Sequence, residues 1–437
     1  MLTRRFPHVL YLLFAALFPV FPLPAVAGGA HALWRMHNKP IVVGYFLGSG
    51  VHARPPYTVK SLVESGAAAK LDQLNYSQAS VRAGRCQLAD PASELHLTFR
   101  AEQSVSGLAD APEASFRGTF HQLEELKRRY PKIKILVSLE GIADDFVQAA
   151  QPQNRRAFVA SCVDMYIRGR FAPDVVRPGV FDGIDVDWES PGLKDSSNFL
   201  ALLAEFRHQL NAVRPGLKLS VAVGDSPLML PGTDFAAVAR LVDQVGVMNY
   251  DYAGPWNTHT GFVAPLFSSP LTPHNHESIA QSIAAYRRAG VPNKKMLMGL
   301  PFYGYSWTRV EEANHGLSQE GDSVREDAPY HVIRALTEPF EAFRDPHSKA
   351  PWLFDGDTFW TYEDPVSVRY KVSYAAREKL AGIMIWELSG DSPSAELLHT
   401  AYRALHHPLG RKAFAEAEMA AIDDHENQSS PVVNSSN

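Results

Sequence analysis

FDGIDVDWE, residues 181–189, places acids at Asp185, Asp187 and Glu189 and apolar groups at Ile184, Val186 and Trp188. Strict alternation is the period of a β-strand, whose successive side chains point to opposite faces. The stretch therefore reads as a strand with one apolar face and one face of three carboxylates, spread over roughly 13 Å. Anions set side by side inside a fold are costly unless they are partnered or used. Neighbouring carboxylates also disfavour one another's charged form, so a proton is expected to be retained or shared among them. An acid kept protonated in this way is ready to donate to a leaving group near neutral pH.

Similar apolar runs recur on both sides of this one. They are IVVGYF (41–46), KLDQLNYSQ (70–78), KIKILVSLE (132–140), KLSVAV (218–223), QVGVMNYD (244–251), KMLMGLPFYG (295–304) and GIMIWEL (382–388). Near-continuous apolar strands belong to parallel sheets covered by helices. The stretches between them, such as GTFHQLEELKRRY and SNFLALLAEFRHQLNAV, have helical spacing. Eight strands alternating with helices predict an α/β fold, a (β/α)8 TIM barrel. The rival is a doubly wound open sheet. It is weakened because no glycine-rich dinucleotide loop follows the first strand.

The 437 residues are 46% hydrophobic and 20% charged, with a net charge of −5. This is the composition of a globular protein, and without a long Lys/Arg run nucleic acid is not an expected partner. Arg4 and Arg5, the run VLYLLFAALFPVFPL and the Ala25-Val26-Ala27 site read as a signal peptide spanning 1–27. Pro19, Pro22 and Pro24 argue against the alternative, an uncleaved anchor. The mature chain is expected to be secreted, periplasmic or extracellular, with no membrane association after cleavage. Cys86 and Cys162 form no metal or redox motif, and the sequence leaves open whether they pair.

In a barrel the active site sits at the C-terminal ends of the strands. Those ends carry Tyr45, Ser138 and Glu140, then the acids of 185–189. Beyond them come Met248, Tyr250, Asp251, Tyr303, Trp386 and Glu387. Carboxylates among aromatic rings suggest a cleft for sugars. A structural Ca²⁺ or Mg²⁺ held by the acids is the bland alternative, disfavoured by ligands lying along a single strand. PHNHESI (273–279), with His274, His276 and Glu277, reads as the start of a surface helix rather than a metal site. No metal and no cofactor are expected.

Taken together these motifs resemble glycoside hydrolase family 18, the chitinase family. FDGIDVDWE matches its D-G-x-D-x-D-x-E signature. GYF (44–46), SLEG (138–141), MNYDYAGPW (248–256), GLPFYGYSW (299–307) and IMIWELSGD (383–391) follow in the family's order. The resemblance covers about Pro40 to Leu405. It implies hydrolysis of β-1,4 bonds in chitin or another N-acetylglucosamine-containing glycan, with retention, the substrate's own N-acetyl group serving as nucleophile. Carried over by position, Glu189 is the acid and then the base. Asp187 orients the acetamido group and shares a proton with Asp185, which Tyr45 and Ser138 hold. Tyr250 and Asp251 bind the sugar at the cleavage point, and Tyr303 joins the substrate-binding set. Trp386 is the floor with Met248 beside it, and Trp256 stacks a sugar on the leaving-group side.

The resemblance also implies a small α+β subdomain inserted between strands seven and eight, at 309–365. The barrel then comprises 28–308 and 366–410, and 411–437 reads as a disordered tail. Several positions depart from the family's pattern: Gln78, Glu140, Ile142, Ser190, and Tyr305 where an Arg is usual. These bear on subsites, not on the acid ladder. Peptidoglycan or N-glycan cores are the alternative substrates. A non-catalytic lectin is the alternative function, disfavoured because Glu189 is retained.

Overall fold

The computed structural model describes residues 39–414, apart from 112, 142, 189, 190, 275, 276 and 325. Eight parallel strands form its centre. They are Ile41–Leu47, Gln73–Arg82, Lys134–Glu140, Gly183–Val186, Lys218–Val223, Gln244–Val247, Met296–Pro301 and Gly382–Trp386. Each pairs with the next, and the first pairs with both the second and the eighth, so the sheet closes into the expected (β/α)8 barrel. Each of the eight strands begins within one of the eight apolar runs.

The barrel's lower rim shows how the sequence fixes its register. Asp72, Asp182 and Asp243 stand just before strands two, four and six. Their carboxylates accept the backbone N–H of Val42, Ile135 and Leu219 in the preceding strands. Their own N–H groups bond the carbonyls of those same residues. Each acid thus makes a two-point clamp between neighbouring strands. Lys127 at 2.8 Å from Asp182 and Arg207 at 2.6 Å from Asp243 balance two of the charges.

Helices cover the outer face. Trp188 follows strand four and packs outward, stacked on Phe146 at 5.5 Å and edge-on to Phe199 at 5.8 Å. Those rings belong to helices Ala143–Ala149 and Ser196–Val213. Helix Pro365–Arg377 begins with a capping box between Asp364 and Ser367 and a proline in its first turn. Helix Ile279–Arg288 is capped by Ser278, just after PHNHE. Among the described residues no helix is long and apolar enough to cross a membrane.

The structure sets several boundaries differently from the sequence reading. Strand seven ends at Pro301, and Tyr303–Thr308 is instead a strand of the inserted sheet, antiparallel to Phe359–Thr361. The insert therefore begins about six residues before the expected 309. YGYSWT alternates aromatic with small residues, is buried nearly throughout, and follows strand seven too closely to be separated from it by pattern alone. Strand two runs on to Arg82 and turns into a hairpin with Arg85–Leu88. At the far end, Arg411–Ala413 form a turn and Phe414 is fully buried against Tyr370, so the first residues of the expected tail are ordered. The expected signal peptide, 1–27, and the rest of the expected tail lie outside the described residues.

Cys86 and Cys162 form a disulfide. The hairpin after strand two brings Cys86 onto the end of helix Pro152–Cys162.

Candidate active site

Strand four carries Asp185 between two serines. In register, Asp185 lies beside Ser138 on strand three and Ser220 on strand five. Ser138 Oγ donates to Asp185 Oδ2 at 3.0 Å, and Ser220 Oγ donates to Oδ1 at 2.5 Å. The Tyr45 hydroxyl, from strand one, donates to Oδ2 at 2.7 Å. Sequence reasoning found Tyr45 and Ser138 but not Ser220. The signal was available, because Ser220 is the one hydroxyl in the apolar run LSVAV.

Asp185 is 1% exposed. Burial raises its pKa above the usual carboxylate range, and hydrogen bonds from Ser220, Tyr45, Ser138 and Asn75 pull the other way without prevailing. Burial also lifts the Tyr45 phenol, with the charges of Asp185 and Asp187 adding to the effect. Tyr45 is therefore a donor in this pair, not an anion. Asp187 follows two residues on, just past the end of the ladder. Its N–H bonds the Leu139 carbonyl at 3.1 Å, and its side chain reaches the cleft. Glu189, the third acid of the motif, lies outside the described residues.

The cleft above these acids has a volume of about 530 Å³. Tyr45, Asp187, Met248, Tyr250, Asp251, Trp256, Tyr303 and Trp386 all line it, from five different segments of the chain. Ser138 and Asp185 lie beneath that wall. The Trp386 ring packs on Tyr45 at 5.3 Å, and Tyr250 meets Tyr303 edge-on at 6.1 Å. Asp251 has φ 64°, in the left-handed region that Asp tolerates better than most residues. Its Oδ1 accepts from the Tyr303 hydroxyl at 2.6 Å and the Tyr305 hydroxyl at 3.1 Å. Trp256 is 58% exposed at the rim, where its ring meets Tyr305 at 5.6 Å.

Asp225, Met229 and Asp327 also line the cleft and were not anticipated. Asp225 and Met229 belong to the loop after strand five, which has no apolar or signature pattern to mark it. Burial, then the charges of Glu277 and Asp251, push the Asp225 carboxyl up to about 6. Two polar strand ends are used elsewhere. Ser77 donates to Glu140, and Glu387 caps the turn Leu388–Gly390 through Ser389. Among the described residues no three His, Cys, Asp or Glu side chains form a metal cluster.

The sequence model of the glycosyl hydrolases family 18 matches residues 41–391. Chitinase C of Streptomyces lividans is 32% identical over 369 residues, 82% of this chain and 58% of that protein. Chitinase 63 of Streptomyces plicatus is 31% identical over 371 residues, covering 82% and 59%. The chain thus spans less than two thirds of the length of these relatives. Among solved structures, the catalytic domain of the psychrophilic chitinase B from Arthrobacter TAD20 aligns with a TM-score of 0.77 at 29% identity. That alignment covers 87% of this chain and 96% of the other. The family 18 N-acetylglucosaminidase from Paenibacillus barengoltzii aligns with a TM-score of 0.67, also at 29% identity, covering 84% and 100%.

Proposed function

The chain belongs to family 18 of the glycosyl hydrolases, and from that premise we propose that it is an exported glycosidase cleaving β-1,4 bonds of N-acetylglucosamine polymers, chitin and its oligosaccharides. The reaction retains configuration at the anomeric carbon and is assisted by the substrate. Glu189 protonates the glycosidic oxygen while the acetamido oxygen of the bound sugar attacks the anomeric carbon, and the glycosidic bond breaks. The resulting oxazolinium carries positive charge beside Asp187, which orients the acetamido N–H. Glu189, now a carboxylate, takes a proton from the water that attacks the anomeric carbon and opens the ring.

The observation that carries this reading is the pair beneath the cleft. Asp185 is buried among three hydroxyls, and burial favours its neutral form. It can therefore hold the proton while Asp187, nearer the cleft, meets the positive intermediate as an anion. Tyr250 and Asp251 bind the sugar at the cleavage point, Trp386 forms its floor, and Trp256 stacks the next sugar. Chitinase homologues over most of the chain support the substrate class. The Cys86–Cys162 disulfide supports export, because such bonds persist in oxidising compartments.

Hydrolysis of chromogenic chitobioside and chitotrioside tests the reading. Turnover is expected from the wild type. Glu189→Gln is expected to bind but to lose about 10²- to 10⁴-fold in kcat, since an amide donates no proton to the leaving oxygen. Binding of oligosaccharides with no turnover by the wild type would sink it.

A further inference from the structure

Tyr305 stands where the family motif carries an arginine, and the structure packs it among three side chains of the cleft. It lies on Tyr303–Thr308 of the inserted sheet, opposite Thr361. Its hydroxyl donates to Asp251 Oδ1 alongside that of Tyr303. Its ring meets Trp256 at 5.6 Å, with the planes 75° apart, and meets Tyr303 at 5.6 Å. Trp256 also rests on Gly254, where an added Cβ would stand 2.5 Å from the indole. One side chain of the insert thus touches both the carboxylate at the cleavage point and the exposed ring at the rim.

The chemistry of tyrosine suits this double contact. A phenol donates one hydrogen bond to Asp251 and leaves its charge in place, whereas a guanidinium would neutralise it. An edge-on contact between two aromatic rings is favourable and directional. Without Tyr305, Trp256 would lose the wall that holds its ring over the cleft.

We propose that Tyr305 is a positioning and specificity-determining residue, whose hydroxyl fixes Asp251 against the sugar being cleaved and whose ring sets Trp256 as the platform for the sugar on the leaving-group side. This rests on the glycosidase reading above. The two roles are separable by substitution. Tyr305→Phe keeps the ring and removes the hydroxyl. Tyr305→Leu removes both.

The test is steady-state kinetics on chromogenic chitobioside and on N-acetylglucosamine tetramer, with Trp256→Ala and Asp251→Asn as references. Tyr305→Phe is expected to lower kcat about three- to tenfold on both substrates, with KM within about twofold, because a donor to a charged acceptor is lost. Tyr305→Leu is expected also to raise KM for the tetramer by about the factor seen with Trp256→Ala. In a double-mutant cycle, adding Tyr305→Phe to Asp251→Asn is expected to cost little more, since the shared hydrogen bond is already altered. If Tyr305→Leu does not fold, the Phe variant and the cycle still decide. Absence of turnover by the wild type would sink the glycosidase reading itself. Wild-type turnover with Tyr305→Phe unchanged would overturn the proposal alone. So would a Tyr305→Phe loss that persists in full beside Asp251→Asn.

Discussion

Burial and hydrogen bonding pull on Asp185 in opposite directions, and burial prevails. The consequence for stability has a definite sign. An acid whose pKa is raised by folding binds more protons in the native state than in the unfolded one. Its contribution is full below the ordinary carboxylate value and is lost as pH rises from there through the raised one. Asp185→Asn carries no such titration, so its Tm is expected to fall less than the wild type's between about pH 4 and pH 8. Its kcat is expected to drop about ten- to a thousandfold, because an amide neither shares a proton with Asp187 nor accepts all three hydroxyls as the carboxylate does. Thermal scans across pH beside kinetics at one pH check both. A wild-type Tm that fell no more steeply than the variant's would refute the account. Asp225 obeys the same rule, its carboxyl pushed up to about 6. Asp225→Asn is expected to raise Tm by about 1–3 °C near pH 8, where the wild-type carboxylate is charged among Glu277 and Asp251, and to leave it unchanged near pH 4. Of these two acids only Asp185 could be read from the sequence, because it sits in an alternating run whose period sets its face. Asp225 sits in a loop, and nothing local says that it meets the cleft.

Elements follow from patterns that repeat over several residues, which is why all eight barrel strands could be read directly. Their ends are decided by single contacts instead. The clamps of Asp72, Asp182 and Asp243 show this at the lower rim, where an acid stands before every second strand up to the sixth. Asp182 is the most enclosed of the three, accepting from Ile135 N–H at 3.0 Å with Lys127 beside it. Removing its carboxylate leaves a buried amide of strand three unpaired. Asp182→Ala is therefore expected to cost about 1–3 kcal/mol in denaturant unfolding, and Asp182→Asn less, since the amide oxygen still accepts. The kcat of the folded variants is expected to match the wild type, because the clamp lies at the opposite end of the strands from the cleft. Equal stability of the Ala variant and the wild type would show that water replaces the carboxylate. The upper rim was less legible. There the chain turns from strand seven into the inserted sheet within one residue of Pro301. The aromatic alternation of YGYSWT continues the strand signal across the boundary.

At the scale of the whole molecule, closure of the barrel makes one site from residues as far apart as Tyr45 and Trp386, which pack together at 5.3 Å. Motif order along the chain was enough to assemble most of that wall. The pairing of Cys86 with Cys162 was not legible. It depends on a hairpin beyond strand two and on where a helix two connections later comes to rest. The bond closes a loop of 76 residues across the outside of the barrel. It involves no residue of the cleft, so it is expected to act on stability and not on catalysis. Replacing both cysteines by serine is expected to lower unfolding free energy by about 2–5 kcal/mol while kcat per folded molecule stays the same. The wild type is expected to show no titratable thiol before or after unfolding, and two once a reductant is added. A reductant should shift its denaturant midpoint toward that of the double serine variant. The pairing would be refuted by free thiols in protein purified from an oxidising compartment. A midpoint indifferent to reductant would instead show that helix and hairpin hold together without the bond.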